Sequence, residues 1–198
     1  PAVLLDCFIA DASLPSVVPD EFDGAYQAVT HLIERGHRRI GFINHTEPIP
    51  AQRLRVRGYR AALEASGIVV DAGLVMEYYS EPKGGYDGMK RLLDLPQPPT
   101  AVFCYNDRLA MGAYDAIRQR SLCIPHDIAV IGFDNQELIA ANLHPGLTTM
   151  QLPHYEMGIW AVEHLLTELD AANNFAAEAV RSPPQVLLKC PLVLRESV

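Results

Sequence analysis

Four apolar runs of this 198-residue chain are each followed directly by carboxylate or amide side chains. The residues are Asp6 after AVLL, Asn44 and His45 after RIGFI, Asn106 and Asp107 after TAVFCY, and Asp134 and Asn135 after DIAVIGF. If these runs are parallel strands, the polar side chains stand at the carboxyl ends of a sheet, where open α/β sheets bind ligands. Carboxylates and amides there can hydrogen-bond to ligand hydroxyl groups. The alternative is that each Asp or Asn caps the helix after its strand, and Asp107 fits a cap best because a helix is predicted from residue 108.

The segment QRLRVRGYR, residues 52–60, brings four arginines together. On a helical projection Arg53, Arg57 and Arg60 share one flank, which is typical of a solvated surface. Arg55 lies alone on the other flank, near the start of the helix and therefore near the strand ends. A guanidinium can form bidentate bonds to a carboxylate or to hydroxyl groups. This position predicts a ligand-binding role for Arg55.

Patterns typical of enzymes, metal sites and nucleotide sites do not occur in the sequence. It has no GxSxG, no HExxH, no GxGxxG and no GxxxxGK[ST] motif, and its seven His residues are scattered. We therefore predict no catalytic residue, no metal ligand and no cofactor, and we do not expect an enzyme.

The charge balance argues against direct binding to duplex DNA. The chain has 16 Lys and Arg against 24 Asp and Glu, a formal net charge of −8. Affinity for nucleic acid depends mainly on neutralising phosphates, so a chain this acidic is a poor duplex binder. No apolar stretch approaches the ~20 residues of a membrane span, so no membrane partner is expected.

The elements that would position these residues alternate between strand and helix. Strands are predicted at residues 2–5, 16–18, 38–43, 74–80, 100–105 and 127–133, with extended structure at 186–194. Helices are predicted at residues 22–35, 51–66, 85–95, 107–120 and 155–169. The strands are nearly continuous apolar runs, as expected for parallel strands that are buried on both faces. The predicted fold class is α/β, doubly wound.

Longer motifs resemble one family of bacterial transcription regulators. They are GAYQAVTHLIERGHRRIGFI, RVRGYRAAL, TAVFCYNDRLAMGAYDAIRQRSLCIPHDIAVIGFDN, LTTMQLPHYEMGIWAVEHLL and the closing VLRES. Together, in this order, they resemble the effector-binding core of the LacI/GalR family across essentially the whole chain.

The resemblance implies a periplasmic-binding-protein-like fold of type I, with two doubly wound parallel-sheet subdomains around a cleft. Residues 1–20 and 153–180 would form the remnant of an incomplete N-terminal subdomain. Residues 21–152 and 181–198 would form the C-terminal subdomain. The family's helix-turn-helix head would be absent from this chain. Operator DNA would then be bound through that head, by a homodimer of the full-length protein in the cytoplasm.

The resemblance also implies positions for the ligand contacts. The family's effector-contacting positions fall on Asp6, Arg55, Asn106 and Asp134. Weaker candidates for the cleft are Asp20, His45, Tyr79, Ser80 and Leu152. Two positions depart from the family pattern: Ser80 stands where an aromatic ring is common, with Tyr79 adjacent, and Leu152 stands where Gln is usual. A sugar stacked on a ring at position 80 is therefore less favoured, and a smaller or less polar effector is an alternative.

The function that the resemblance implies is allosteric regulation of transcription. A sugar or related polar metabolite would bind between the subdomains, and the resulting closure would change the DNA affinity of the head. Induction and corepression are both compatible with the sequence. The alternative function is that of a periplasmic sugar-binding protein of a transporter, which shares the fold.

Overall fold

A computed structural model describes residues 1–7, 9, 13–173 and 183–198. In these ranges the strands are β1 (Leu4–Leu5), β2 (Ser16–Pro19), β3 (Ile40–His45), β4 (Val75–Tyr78), β5 (Ala101–Cys104), β6 (Ala129–Asp134), β7 (Thr148–Gln151), β8 (Gln185–Leu188) and β9 (Leu192–Val193). The helices are α1 (Glu21–Glu34), α2 (Pro50–Ala65), α3 (Pro82–Leu93), α4 (Asp107–Gln119), α5 (Glu137–Ala140) and α6 (His154–Asn173). Within the same ranges, no helix combines the length and apolar character needed to cross a membrane.

The chain divides into two compact units. The larger unit contains residues 21–152 and 191–198, and the smaller unit contains residues 1–20 and 153–190. Each predicted helix and strand has a counterpart, with ends displaced by a few residues. The short helix α5 and the strand β7 were not predicted, because their sequences ELIA and TTMQ are too short to show a period.

The sheet of the larger unit has the strand order β4-β3-β5-β6-β7-β9. All neighbouring pairs are parallel except β7 and β9, which pair antiparallel through Thr149 with Val193 and Met150 with Leu192. The α/β class predicted from the sequence is therefore confirmed, but the sheet is not purely parallel. An edge strand has only one neighbour, so it can run in either direction, and antiparallel edges on parallel sheets are common.

Helices cover both faces of this sheet. The ring of Phe42 in β3 packs 5.2 Å from the ring of Tyr59 in α2, whereas the next residue, Ile43, faces Gly88 in α3. Alternate residues of a strand point to opposite faces, so α2 lies on one face and α3 on the other. The central strands are therefore buried on both faces.

Close contact between α3 and α4 depends on glycine. A Cβ atom on Gly112 would lie 1.7 Å from the carbonyl oxygen of Pro82, and one on Gly85 would lie 1.9 Å from that of Leu109. Any larger residue would therefore collide with backbone atoms, and only glycine allows the two helices to approach this closely.

The smaller unit consists of a three-stranded parallel sheet, β1-β2-β8, with α6 packed on β1 and β2. Its buried core contains Val17, Met157 and Ala161. The predicted domain boundary between residues 180 and 181 lies outside the described residues. The assignment of residues 183–190 to the larger unit is wrong, because β8 pairs with β2 from Ser16–Gln185 to Pro19–Leu188, whereas residues 191–198 belong to the larger unit as predicted. An apolar strand pattern does not specify which sheet the strand joins.

Candidate functional site

Polar and aromatic side chains line the carboxyl ends of the central strands in the larger unit. Most of them are buried or nearly so: Arg55 is 2% exposed, Asn106 7% and His45 8%. Two groups are held together by direct contacts. One group surrounds Arg55 and Asp134, and the other contains His45 and Ser80.

The Arg55 guanidinium is held by a carboxylate that the sequence did not indicate. Its Nε donates to Glu21 Oε2 at 2.6 Å, and its Nη2 donates to Glu21 Oε1 at 3.1 Å. Nη2 also donates to Asp134 Oδ1 at 3.5 Å, and Nη1 donates to the carbonyl oxygen of Tyr105. The arginine therefore joins the start of α1 to the ends of β5 and β6.

Aromatic rings pack against the same guanidinium. Its carbon Cζ lies 4.3 Å from the ring centroid of Tyr105 and 3.7 Å from that of Phe133. Burial on its own would lower the pKa of Arg55, but the charges of Glu21 and Asp134 outweigh it and raise that pKa above its ordinary value. Arg55 is thus a fixed cation with its rotation restricted by rings and carboxylates.

Asp134 is the charged side chain of this group that remains partly accessible, with 15% of its side chain exposed. Its Oδ2 accepts from Gln136 Nε2 at 3.2 Å, and its backbone oxygen accepts from the N–H of Leu152 at 3.4 Å. Its φ angle is +101°, which L residues rarely adopt. Such strained residues cluster at binding and catalytic sites, where the surrounding structure holds them.

The helix cap at the end of β5 is Asn106 rather than Asp107. Asn106 Oδ1 accepts from the N–H of Leu109 at 3.0 Å, as in a standard N-cap. The prediction that Asp107 caps this helix is therefore wrong. Asp107 is fully buried and instead accepts from Thr149 Oγ1 and from the N–H of Gln136, both at 2.6 Å.

The stability of the protein is expected to depend on pH through Asp107. Burial raises the pKa of its carboxyl to about 7, against the effect of the hydrogen bonds from Thr149 and Gln136. The folded protein then holds this proton to a higher pH than the unfolded chain, so stability is expected to fall between the ordinary pKa of 3.8 and about 7. The full shift corresponds to roughly 4 kcal/mol. Asp107→Asn is expected to remove this slope from urea unfolding curves measured across that range, and an unchanged slope would contradict the assignment.

His45 and Ser80 form the second group, at the ends of β3 and β4. Ser80 Oγ and His45 Nδ1 are 3.0 Å apart, and the His45 ring centroid lies 5.4 Å from that of Tyr105. His45 Nε2 lies 3.5 Å from the exposed carboxylate of Glu47. Tyr79, the aromatic neighbour of Ser80, is 64% exposed. The structure therefore joins two of the weaker candidates directly and leaves Tyr79 at the surface.

Two further candidates belong to the smaller unit. Asp6 follows β1 with a φ angle of +54°, and its N–H donates to the Val17 oxygen at 3.0 Å. The N–H of Asp20 donates to the Leu188 oxygen at 2.7 Å. The roles of Asp6 and Asp20 in ligand binding stay predictions.

The sequence pattern does not predict that Glu21, Tyr105 and Phe133 surround Arg55. Glu21 is the first residue of α1, where acidic residues are common for reasons of helix stability, so its position gives no sign of an ion pair. Tyr105 and Phe133 lie in apolar strand runs, and this pattern predicts that they are core residues. Across the described ranges, no three potential metal-ligating side chains cluster.

Comparisons with known proteins agree with this architecture. A family model described as periplasmic binding protein-like domain matches residues 29–198. The HTH-type transcriptional repressor CytR of Escherichia coli strain K12 is 37% identical over 197 residues, which cover 100% of this chain and 55% of that protein. The ribose operon repressor of Haemophilus influenzae is 35% identical over 198 residues, covering 100% and 57%. The chain thus spans slightly more than half the length of these relatives.

Solved structures show the same fold. A transcriptional regulator, CelR, in complex with cellobiose has a TM-score of 0.86 and 29% identity, covering 100% of this chain and 59% of that one. A LacI family regulator from Enterococcus faecium with bound ribose has a TM-score of 0.84 and 28% identity, covering 98% and 69%. The relatives are regulators of transcription rather than transport proteins, and the family predicted from the motifs is confirmed. The chain belongs to the periplasmic binding protein-like domain family, in the form found in LacI-family repressors.

Proposed function

We propose that this chain is the effector-binding part of a transcription regulator, and that a sugar or related polar metabolite binds at the carboxyl ends of the strands in the larger unit. The observation that carries the proposal is the Arg55–Asp134 pair, in which Nη2 and Oδ1 are 3.5 Å apart and the Asp134 carboxylate is partly accessible. A ligand hydroxyl can donate to Asp134 and accept from a neighbouring N–H at the same time.

The individual roles follow from accessibility. Asp134 accepts hydrogen bonds from the ligand. Arg55 is almost fully buried, so its role is to position Asp134. The Oδ1 atom of Asn106 accepts the hydrogen bond that caps α4. Its amide N–H groups are proposed to donate to a ligand oxygen. His45 and Ser80 offer further hydrogen-bonding groups at the ends of β3 and β4. Asp6 and Asp20 are proposed as contacts on the family resemblance alone.

The proposed output is a change in DNA binding by the full-length protein, as a cytoplasmic homodimer. A ligand shifts such an equilibrium only through unequal affinity for two conformations. The chain acts by binding rather than by catalysis, which agrees with relatives that are transcriptional regulators.

The test is a binding measurement with two matched variants. Isothermal titration of the full-length protein with a panel of polar metabolites, beginning with ribose and cellobiose, identifies a ligand. Asp134→Asn is then expected to weaken that ligand by about 10- to 100-fold, since a charged hydrogen bond contributes about 1.5–3 kcal/mol. Asp115→Asn, which removes an exposed carboxylate of α4, is the control and is expected to bind normally. Equal binding by all three proteins would refute the site.

A further inference from the structure

The charge of the Arg55 group limits the kind of ligand that fits. Arg55 contributes one positive charge, and Glu21 and Asp134 contribute two negative charges within hydrogen-bond distance of it. The formal sum is therefore −1, although the group contains an arginine. A site that receives phosphate or carboxylate normally presents an excess of positive charge instead.

The hydrogen bonds of Arg55 point the same way. Its contacts with Glu21, Asp134 and the Tyr105 oxygen account for four of the five N–H groups of a guanidinium. Bidentate binding of an anion needs two N–H groups side by side, and among the described residues Glu21 already occupies that fork. The rings of Tyr105 and Phe133 cover the guanidinium where another oxygen could approach it.

Asp134 adds a requirement of its own. It is the more accessible carboxylate of the group, and a carboxylate only accepts hydrogen bonds. A hydroxyl group can donate to it, whereas an ionised phosphate has no proton to donate. Arg195, another cation near the end of β6, already donates to Asn135 Oδ1 and to the Leu147 oxygen, both at 2.8 Å.

We propose that this site accepts an uncharged, hydroxyl-bearing ligand and rejects its phosphorylated form, and that Glu21 sets this selectivity by occupying Arg55. This inference rests on the proposed function and adds the class of ligand to it. Glu21 is a positioning residue here, because it acts on the ligand through Arg55. A phosphate group carries about −1.5 to −2 charges at pH 7, and its repulsion by one net charge about 6 Å away in water corresponds to about six- to tenfold in affinity.

Matched ligand pairs test the selectivity in the full-length protein. Ribose and ribose 5-phosphate, and glucose and glucose 6-phosphate, are titrated into the wild type, Glu21→Gln and Glu34→Gln by calorimetry. The neutral member of a binding pair is expected to bind the wild type about six- to tenfold more tightly than the phosphorylated member, and Glu21→Gln is expected to narrow that ratio. Glu34→Gln changes an exposed carboxylate of the same helix and is expected to leave the ratio unchanged. Equal or tighter binding of the phosphorylated member to the wild type would overturn the proposal.

A second measurement does not depend on the identity of the ligand. Inorganic phosphate at millimolar concentration is added to ¹⁵N-labelled protein, and the Arg55 Nε–H resonance is followed by NMR. We expect no shift in the wild type and a shift in Glu21→Gln, with Asp134→Asn as a second variant that lowers the negative charge but keeps the Glu21 pair. A shift in the wild type would overturn the proposal. If no sugar binds but phosphate behaves as expected, the choice of sugars as ligands fails while the charge selectivity holds.

Discussion

Arg55→Met is expected to lower the free energy of unfolding of the larger unit by about 3–5 kcal/mol, because it leaves buried carboxylates without their cation. Glu21 loses two hydrogen bonds at 2.6 and 3.1 Å, and Asp134 loses one at 3.5 Å. Most domains are stable by only about 5–15 kcal/mol, so this single change is large. Urea unfolding followed by circular dichroism measures the loss.

Two further variants separate the ion pair from other effects of removing an arginine. Arg60→Met alters an exposed arginine of the same helix and is expected to change stability by less than about 0.5 kcal/mol. The double variant Arg55→Met with Glu21→Met is expected to recover part of the loss, because replacing both members of a buried pair by apolar groups avoids the unpaired charge. If Arg55→Met behaved like Arg60→Met, the buried pair would have no structural role.

Gly112→Ala is expected to destabilise the larger unit by about 3 kcal/mol or more, at the upper end of what overpacking costs. The added Cβ would lie 1.7 Å from the Pro82 oxygen and 2.7 Å from the Tyr86 nitrogen, and both are backbone atoms. Relief therefore requires α3 and α4 to separate, which weakens the packing of both helices. The thermal unfolding midpoint and the urea midpoint are both expected to fall.

Gly158→Ala in α6 is the control for this variant. A Cβ there meets nothing within 4 Å, and alanine is favoured over glycine in helices by about 1 kcal/mol. We therefore expect unchanged or higher stability. A similar loss in both glycine variants would show that the close contact between α3 and α4 does not determine the result.

The sequence predicted the α/β fold well because the central strands β3, β5 and β6 are buried on both faces. Runs such as AVFC in β5 have no polar residue inside them, and a glycine or a proline directly follows three of the five predicted helices. The pairing of β8 with β2 could not be predicted, since it depends on a long-range choice between two sheets. The antiparallel direction of β9 is equally non-local, because a two-residue strand carries no signal of its orientation.

The candidate site was predictable where strand ends carry the polar side chains. Asn106 and Asp134 follow their strands directly, and the helical projection isolated Arg55 from the exposed Arg53, Arg57 and Arg60. Glu21 was missed because its partner is 34 residues away and its own position at a helix start has a simpler explanation. The exchange of roles between Asn106 and Asp107 depends on where α4 begins, and helix ends are uncertain by one or two residues in sequence patterns.

The order in which the two units use the chain has a consequence for folding. The larger unit is interrupted by residues 153–190 and is completed only by residues 191–198. Ser197 Oγ donates to the Val130 oxygen and accepts from the N–H of Thr148, across 67 and 49 residues of sequence. Such distant contacts form late, because long loops must close before they contribute. A fragment of residues 21–152 would therefore reach at most an intermediate with β7 as an unprotected sheet edge, a feature that promotes aggregation.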